Sequence, residues 1–239
     1  MTAPPFSLPP FTPLPVTRAG TRVPAVYWSP EVQSRGIVLA SHGGGGHKLS
    51  EPVLAIAKAC CAQGITVLAI DGPVHGDRRA DGRVDYDFVM QAFNDAWLAG
   101  VGRTSMTDDW RAALAALLAV PGHANLPIGY IGVSMGTAYG LPLVAAEPRI
   151  RAAALGLWSA KFPASEHLAG CAQRIQCPVW FTQQWNDEHF DREGTLALFD
   201  AIAAPDKMLT AYPGPHRLLE GQRLQEAVAF IARHLLGAA

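Results

Sequence analysis

The chain predicts an α/β fold: a mainly parallel sheet with helices on both faces and an antiparallel edge at the amino end. Three observations carry this. From residue 36 onward, short apolar segments alternate with helical ones, an order that builds right-handed crossovers around one sheet. The apolar segments are continuous, as in Ile65-Thr66-Val67-Leu68-Ala69-Ile70, the mark of strands covered on both faces and hence parallel. The 239 residues, 49% hydrophobic and 16% charged, supply one large core and require no second one.

In chain order, residues 1–15 carry prolines at 4, 5, 9, 10, 13 and 15, which exclude a helix and predict an extended arm lying over the body. Residues 16–28 turn at Ala19-Gly20 and predict an antiparallel hairpin at a sheet edge, where Pro24 is tolerated. Strands are expected at 36–41, 65–71, 128–133, 152–158, 179–182 and 207–212, with helices near 51–63, 108–119, 135–147, 193–203 and 220–236. Ser50 and Glu51 introduce the first helix, and Ser105 and Thr107 ahead of Asp108-Asp109 the second; such residues cap free amides and favour the positive end of the helix dipole. Segment 81–103 fits this pattern least, mixing Tyr86, Phe88, Phe93 and Trp97 with Gly100 and Gly102, and is expected as a helix folded over the site. The expected organisation is a proline-rich arm, 1–15, and a single domain, 16–239.

A net charge of −1 leaves no footprint for nucleic acid or anionic lipid. No run approaches the roughly 18 apolar residues of a membrane span, and Met1-Thr2-Ala3-Pro4-Pro5 lacks the basic start of a secretion signal, so a cytoplasmic protein is expected. Cys60 and Cys61 are neighbours on a helix, and Cys171 and Cys177 flank a strand start; these are thiols rather than a disulfide framework.

The strongest local signal is Gly132-Val133-Ser134-Met135-Gly136, where a strand ends and a helix begins. A serine on so sharp a turn projects its hydroxyl clear of the backbone, and small residues two before and two after let neighbouring segments pass. The helix that follows aims free amides at the place where negative charge grows. Upstream, Ser41-His42-Gly43-Gly44-Gly45-Gly46-His47 follows another apolar strand. Its glycines allow an inward amide at Gly44, with Gly45 as the fallback, to form an oxyanion hole with the Met135 amide. A phosphate loop is not indicated, since the segment has neither a lysine-serine pair nor a spaced dinucleotide fingerprint.

Beyond the strand at 179–182 comes Gln183-Gln184-Trp185-Asn186-Asp187-Glu188-His189, where a carboxylate can reach a histidine on the next loop. Asp187 is the choice, with Glu188 and Asp191 as alternatives. After the strand at 207–212, Pro213-Gly214-Pro215-His216 fixes a histidine at the same rim, and His216 is the expected general base. His123, His167, His189 and His234 have no motif around them. His42, His47, Asp71, His75 and Asp77 lack metal-ligand spacing, so no metal or cofactor is expected.

These motifs, with Asp71-Gly72-Pro73-Val74-His75-Gly76 after the second parallel strand, resemble the α/β-hydrolase family, and within it dienelactone-hydrolase-like esterases and carboxylesterases. The resemblance covers about residues 16–236. It implies the α/β-hydrolase fold and a Ser134, Asp187, His216 triad, in the family's chain order. Dienelactone hydrolases use cysteine where this chain has Ser134, which points away from dienelactones. The expected function is hydrolysis of carboxylic esters of short or medium acyl chain, on a small-molecule substrate and with no nucleic-acid or membrane partner; a homodimer is left open. About twenty residues separate the strands at 152–158 and 179–182, too few for a large cap domain. Trp158, Phe162, Trp185 and the aromatics of 86–97, Phe88 among them, are candidates to line the pocket. The rival readings are thioester or peptide hydrolysis, acyl transfer or perhydrolysis by the same triad, and a non-catalytic binding module on the same fold.

Overall fold

A computed structural model describes residues 10–237. From the amino end run β1 (Thr12–Leu14), β2 (Thr17–Arg18), β3 (Thr21–Arg22), β4 (Ala25–Trp28), β5 (Ile37–Ala40), α1 (Glu51–Ala62) and β6 (Thr66–Ile70). A 3-10 turn, Gly76–Arg78, precedes α2 (Tyr86–Leu98) and α3 (Ser105–Leu118). The rest is β7 (Ile128–Ile131), α4 (Met135–Ala146), β8 (Ile150–Gly156), α5 (Glu166–Ala172), β9 (Val179–Gln184), α6 (Arg192–Ala201), β10 (Lys207–Tyr212) and α7 (Gly221–Leu236).

The main sheet has eight strands in the order β1-β4-β6-β5-β7-β8-β9-β10. Pairings from β6 through β10 are parallel, while β4 runs antiparallel to β6 and β1 to β4. Residues of β5, β6 and β7 are buried throughout, because successive side chains enter opposite cores. Ile37 and Leu39 join the cluster under α3, α4, α5 and α6, with Trp97 and Trp110. Val38 and Ala40 join the one under α1 and α7, with Val53, Ile56, Ala227 and Ile231. Each fully buried side chain of this size contributes roughly 1.5–3 kcal/mol.

The amino-terminal edge differs in detail from the expected hairpin. Ala19 and Gly20 take positive φ values of 47° and 77°, the left-handed pair that a two-residue hairpin requires. That hairpin, β2 with β3, forms its own two-stranded sheet. Pro24 follows it and has no N–H to continue a ladder, so the chain enters the main sheet afresh at β4. The edge itself is β1, where Pro13 pairs with Val26. Residues 1–9 of the proline-rich arm lie outside the described residues.

Helix α2 occupies the segment that fitted the sequence pattern least, and α5 was not anticipated. Ser50 does not cap α1 with its side chain; its hydroxyl donates to the His47 carbonyl at 2.7 Å. Between β8 and β9 there is only α5, and no large cap is present among the described residues. None of the described helices is long and apolar enough to cross a membrane. The four cysteines are free, and burial pushes the thiols of Cys61 and Cys177 up to about 12 and about 11.

Candidate active site

Ser134 stands between β7 and α4 with φ 59° and ψ −125°, a conformation that costs a non-glycine residue of order 1–3 kcal/mol. Its surroundings hold it there. The Ser134 amide donates to the Gly156 carbonyl at 2.9 Å, and Thr137 Oγ1 bonds the carbonyls of Gly132 and Gly156 at 3.1 and 2.5 Å. A Cβ on residue 132 would fall 2.5 Å from the Tyr130 hydroxyl, so the corner accepts only glycine. Thr137, fully buried, is a support that the five-residue motif alone does not disclose.

Asp187 and His216 come from the loops after β9 and β10, which are tied together by Trp185 N donating to Tyr212 O and Asn186 N to Gly214 O. Asp187 Oδ1 accepts from the amides of His189 and Phe190 at 2.9 and 3.0 Å. Its Oδ2 lies 2.8 Å from His216 Nδ1. Burial opposes ionisation of Asp187, but the His216 ring and the two amides outweigh it and hold the carboxyl below its ordinary value. An ionised Asp187 places the ring proton on Nδ1 and leaves Nε2 bare. The other two carboxylates are engaged elsewhere. Glu188 accepts from the His216 amide at 2.7 Å; Asp191 caps α6, accepting from Gly194 N at 2.7 Å and Ser159 Oγ at 2.5 Å.

Ser134 and His216 line one cavity of about 480 Å³. Among the described residues, neither Ser134 Oγ nor His216 Nε2 has a hydrogen-bond partner, which leaves both for each other or for a bound molecule.

The glycine loop forms the facing wall. The Gly43 carbonyl accepts from His42 Nδ1 at 2.8 Å and from Gly46 N at 3.0 Å; the Gly44 carbonyl lies 2.7 Å from His75 Nε2. In a trans peptide the N–H opposes the C=O, so these contacts turn the Gly44 and Gly45 amides the other way, and neither has an acceptor among the described residues. Helix α2 lies over the loop: a Cβ at Gly44 would stand 2.8 Å from Phe93 and 3.0 Å from Met90 Sδ. The Met135 amide, at the free first turn of α4, likewise lacks a protein acceptor.

Cavity walls come from Tyr86, Met90, Phe93, Trp158, Phe162, Phe190 and Leu218. Trp158 and Phe162 are where the sequence suggested, Trp158 anchored by Nε1 donating to Ser165 Oγ at 3.0 Å. Two expected lining residues lie off the cavity. Trp185 is 49% exposed, its ring 3.6 Å from the Arg192 guanidinium. Phe88 is claimed by Arg79 and Arg83, at 4.8 and 3.4 Å. Tyr86, Met90 and Phe93 follow each other at helical spacings of four and three, one face of α2, and Phe88 falls on another. That spacing was the available signal for Met90, which the sequence reading passed over. Among the described residues, no group of three or more His, Cys, Asp or Glu is placed to hold a metal ion.

No protein-family profile and no curated protein sequence matches the chain. Solved structures do. A cold-adapted esterase from an Arctic intertidal metagenomic library, in a PEG-bound complex, superposes with a TM-score of 0.79 at 33% identity, covering 94% of this chain and 93% of that one. A dienelactone hydrolase from Anabaena variabilis matches with a TM-score of 0.69 at 16% identity, over 96% and 98% of the two chains. A dienelactone hydrolase-like promiscuous phosphotriesterase from metagenomic libraries gives 0.70 at 19% identity, over 95% and 99%. The last two share the fold; the first, at 33% identity over nearly the whole length, makes this chain a member of the α/β-hydrolase family, a hydrolase akin to dienelactone-hydrolase-like esterases.

Proposed function

We propose that the protein is a serine esterase that cleaves carboxylic esters of short or medium acyl chain through Ser134, His216 and Asp187. The observation that carries this is the 2.8 Å contact between Asp187 and His216 Nδ1, which leaves Nε2 free on the cavity that Ser134 also lines. In the reaction, His216 Nε2 takes the Ser134 proton as Oγ attacks the ester carbonyl, then gives it to the departing alcohol. Asp187 keeps the ring in the tautomer this requires and stabilises it once protonated. The amides of Gly44 and Met135 receive the developing oxyanion, each donor contributing about 10²–10³ in rate. Water, activated by His216 in turn, hydrolyses the acyl-enzyme. Serine supplies the nucleophile and histidine every proton transfer, so a small-molecule ester is sufficient substrate and no cofactor takes part.

The test is turnover of p-nitrophenyl esters of increasing chain length by wild type and Ser134→Ala, with fluorophosphonate labelling beside it. The expected result is loss of at least about 10⁴-fold in kcat, loss of the label, and a rate optimum at short or medium chains. Retained turnover in the folded variant overturns the proposal. Matched thioester and amide substrates define the acyl chemistry, the ester being expected to turn over fastest.

A further inference from the structure

We infer that His75 is a positioning residue for this hydrolysis: with His42, it holds the peptide planes of the glycine loop so that the Gly44 and Gly45 amides face the reacting carbonyl. The inference rests on the assignment of Ser134 as nucleophile, and it gives a role to the second histidine-bearing motif, residues 71–77, which the triad leaves unused.

His75 is fully buried and His42 nearly so, their rings 4.8 Å apart edge to face. His42 Nε2 accepts from the Gly72 amide at 2.9 Å, so its proton sits on Nδ1, aimed at the Gly43 carbonyl. His75 Nε2 can meet the Gly44 carbonyl only as a donor, so its proton is placed as well. Among the described residues its buried Nδ1 has no partner, an unmet acceptor that calls for a reason. One reason fits: the ring is oriented for its Nε2 contact. Burial keeps the ring neutral, pushing His75 down to about 4 although the Gly44 bond favours the protonated form.

The loop carrying His75 is itself tied to the far end of the glycine loop. Asp71, fully buried, accepts from Lys48 N at 2.9 Å, Lys48 Nζ at 2.7 Å and Asp77 N at 2.9 Å. Gly72 makes room for both rings, since a Cβ there would stand 2.8 Å from His75 Nδ1 and 3.3 Å from His42 Cε1. The glycine segment has no regular structure of its own, and glycine peptides flip easily. Two fixed imidazole donors on successive carbonyls supply the orientation that the sequence of the loop does not.

The experiment compares His75→Phe, which keeps an aromatic ring and loses the donor, with His75→Gln, whose amide can still donate. Steady-state kinetics are run with affinity for a trifluoromethyl ketone, which forms a tetrahedral adduct on the serine. Expected for His75→Phe are a fall in kcat of about 10²-fold and a KM within about threefold. Ketone affinity should weaken by about the same factor as kcat/KM, and His75→Gln should recover most of both. Unchanged kcat in folded His75→Phe, or reduced kcat with ketone affinity intact, overturns the inference. Should His75→Phe fail to fold, Gly72→Ala displaces the ring without removing it and is read by the same two criteria. Ser134→Ala is carried alongside: turnover surviving there condemns the serine assignment, whereas a dead Ser134→Ala beside a fully active His75→Phe condemns only the positioning role.

Discussion

On one side of the cavity, Asp187 and His216 are presented by adjoining loops after β9 and β10, and the group that matters in each is a side chain. Opposite them, after β5 and β6, the groups that matter are backbone amides on a loop of glycines, aimed by what packs behind them. The first side depends on a charge: Asp187 must stay ionised to hold the His216 ring. The second is built from uncharged groups: His42 must be neutral for its Nε2 to accept from the Gly72 amide, and burial keeps both His42 and His75 neutral beside the carbonyls they bond. The proposed reaction would therefore rest on two kinds of preorganisation with different vulnerabilities.

The largest expected effect separates the roles of neighbouring carboxylates on the first side. Asp187→Asn should lower kcat by about 10⁴-fold while the protein stays folded, because the amide no longer specifies the tautomer with a bare Nε2. Asp191→Ala should leave kcat within about threefold and cost about 1 kcal/mol through loss of the α6 cap. Kinetics and urea denaturation on the two variants decide it. An equal loss of kcat in both would mean that the acid is not Asp187 alone.

Next in size is a difference in the acid behaviour of the two sides. The folded-state value of His75 is about 4 against an ordinary 6.5, so its contribution is complete above pH 6.5. That contribution is lost as pH falls toward 4, because the unfolded chain then binds the proton that the folded chain refuses. Its size is about 3 kcal/mol, and His42, lowered by burial and by its His75 neighbour, acts in the same direction. Asp187 acts with the same sign but in a lower window: it is depressed below 3.8, so its contribution holds down to that pH and is lost beneath it. Unfolding free energies across pH 7 to 3 should thus decline first through the histidine side, and His75→Phe should flatten the slope between pH 6.5 and 4. A wild-type slope of zero over that interval would remove the idea that neutral buried rings support the glycine loop.

The two sides also differ in how far the sequence discloses them. The proposed triad of Ser134, Asp187 and His216 is legible because nucleophilic catalysis demands those residue types, and strand-helix alternation puts them at one rim. The sequence favours Asp187 but keeps Glu188 and Asp191 open, since all three lie within one short loop; the 2.8 Å contact of Asp187 with His216 Nδ1 supports the first choice. The strands at β5 to β9 are legible because burial on both faces writes itself as continuous apolarity. Helix α5 is not: seven residues containing Gly170 give too few turns for a period to emerge. The partnership of His42 with His75 is invisible in principle, because it exists only when loops some thirty residues apart stack. Trp185 and Phe88 mislead for a related reason: an aromatic near a site says nothing about which way it faces, and nearby arginines hold both rings outward.

The smallest expected effect concerns the mouth of the cavity, where the charged side chain of the triad side meets the substrate. Among the described residues, Glu188 and the histidines are the ionisable groups lining the cavity apart from Tyr86, and no lysine or arginine lines it. The His216 amide holds the Glu188 carboxyl below its ordinary value, so it is charged at neutral pH. An ester bearing a carboxylate meets like charge there with no cation to receive it, while the side chain's exposure keeps the repulsion modest. Phenyl acetate should therefore exceed 4-carboxyphenyl acetate in kcat/KM by about three- to tenfold beyond their ratio in base-catalysed hydrolysis. Glu188→Gln, which can still accept from the His216 amide, should narrow that gap, as should salt near about 0.5 M. A ratio that neither the substitution nor salt alters would assign the preference to the apolar walls contributed by α2 and leave Glu188 with no part in selecting substrate.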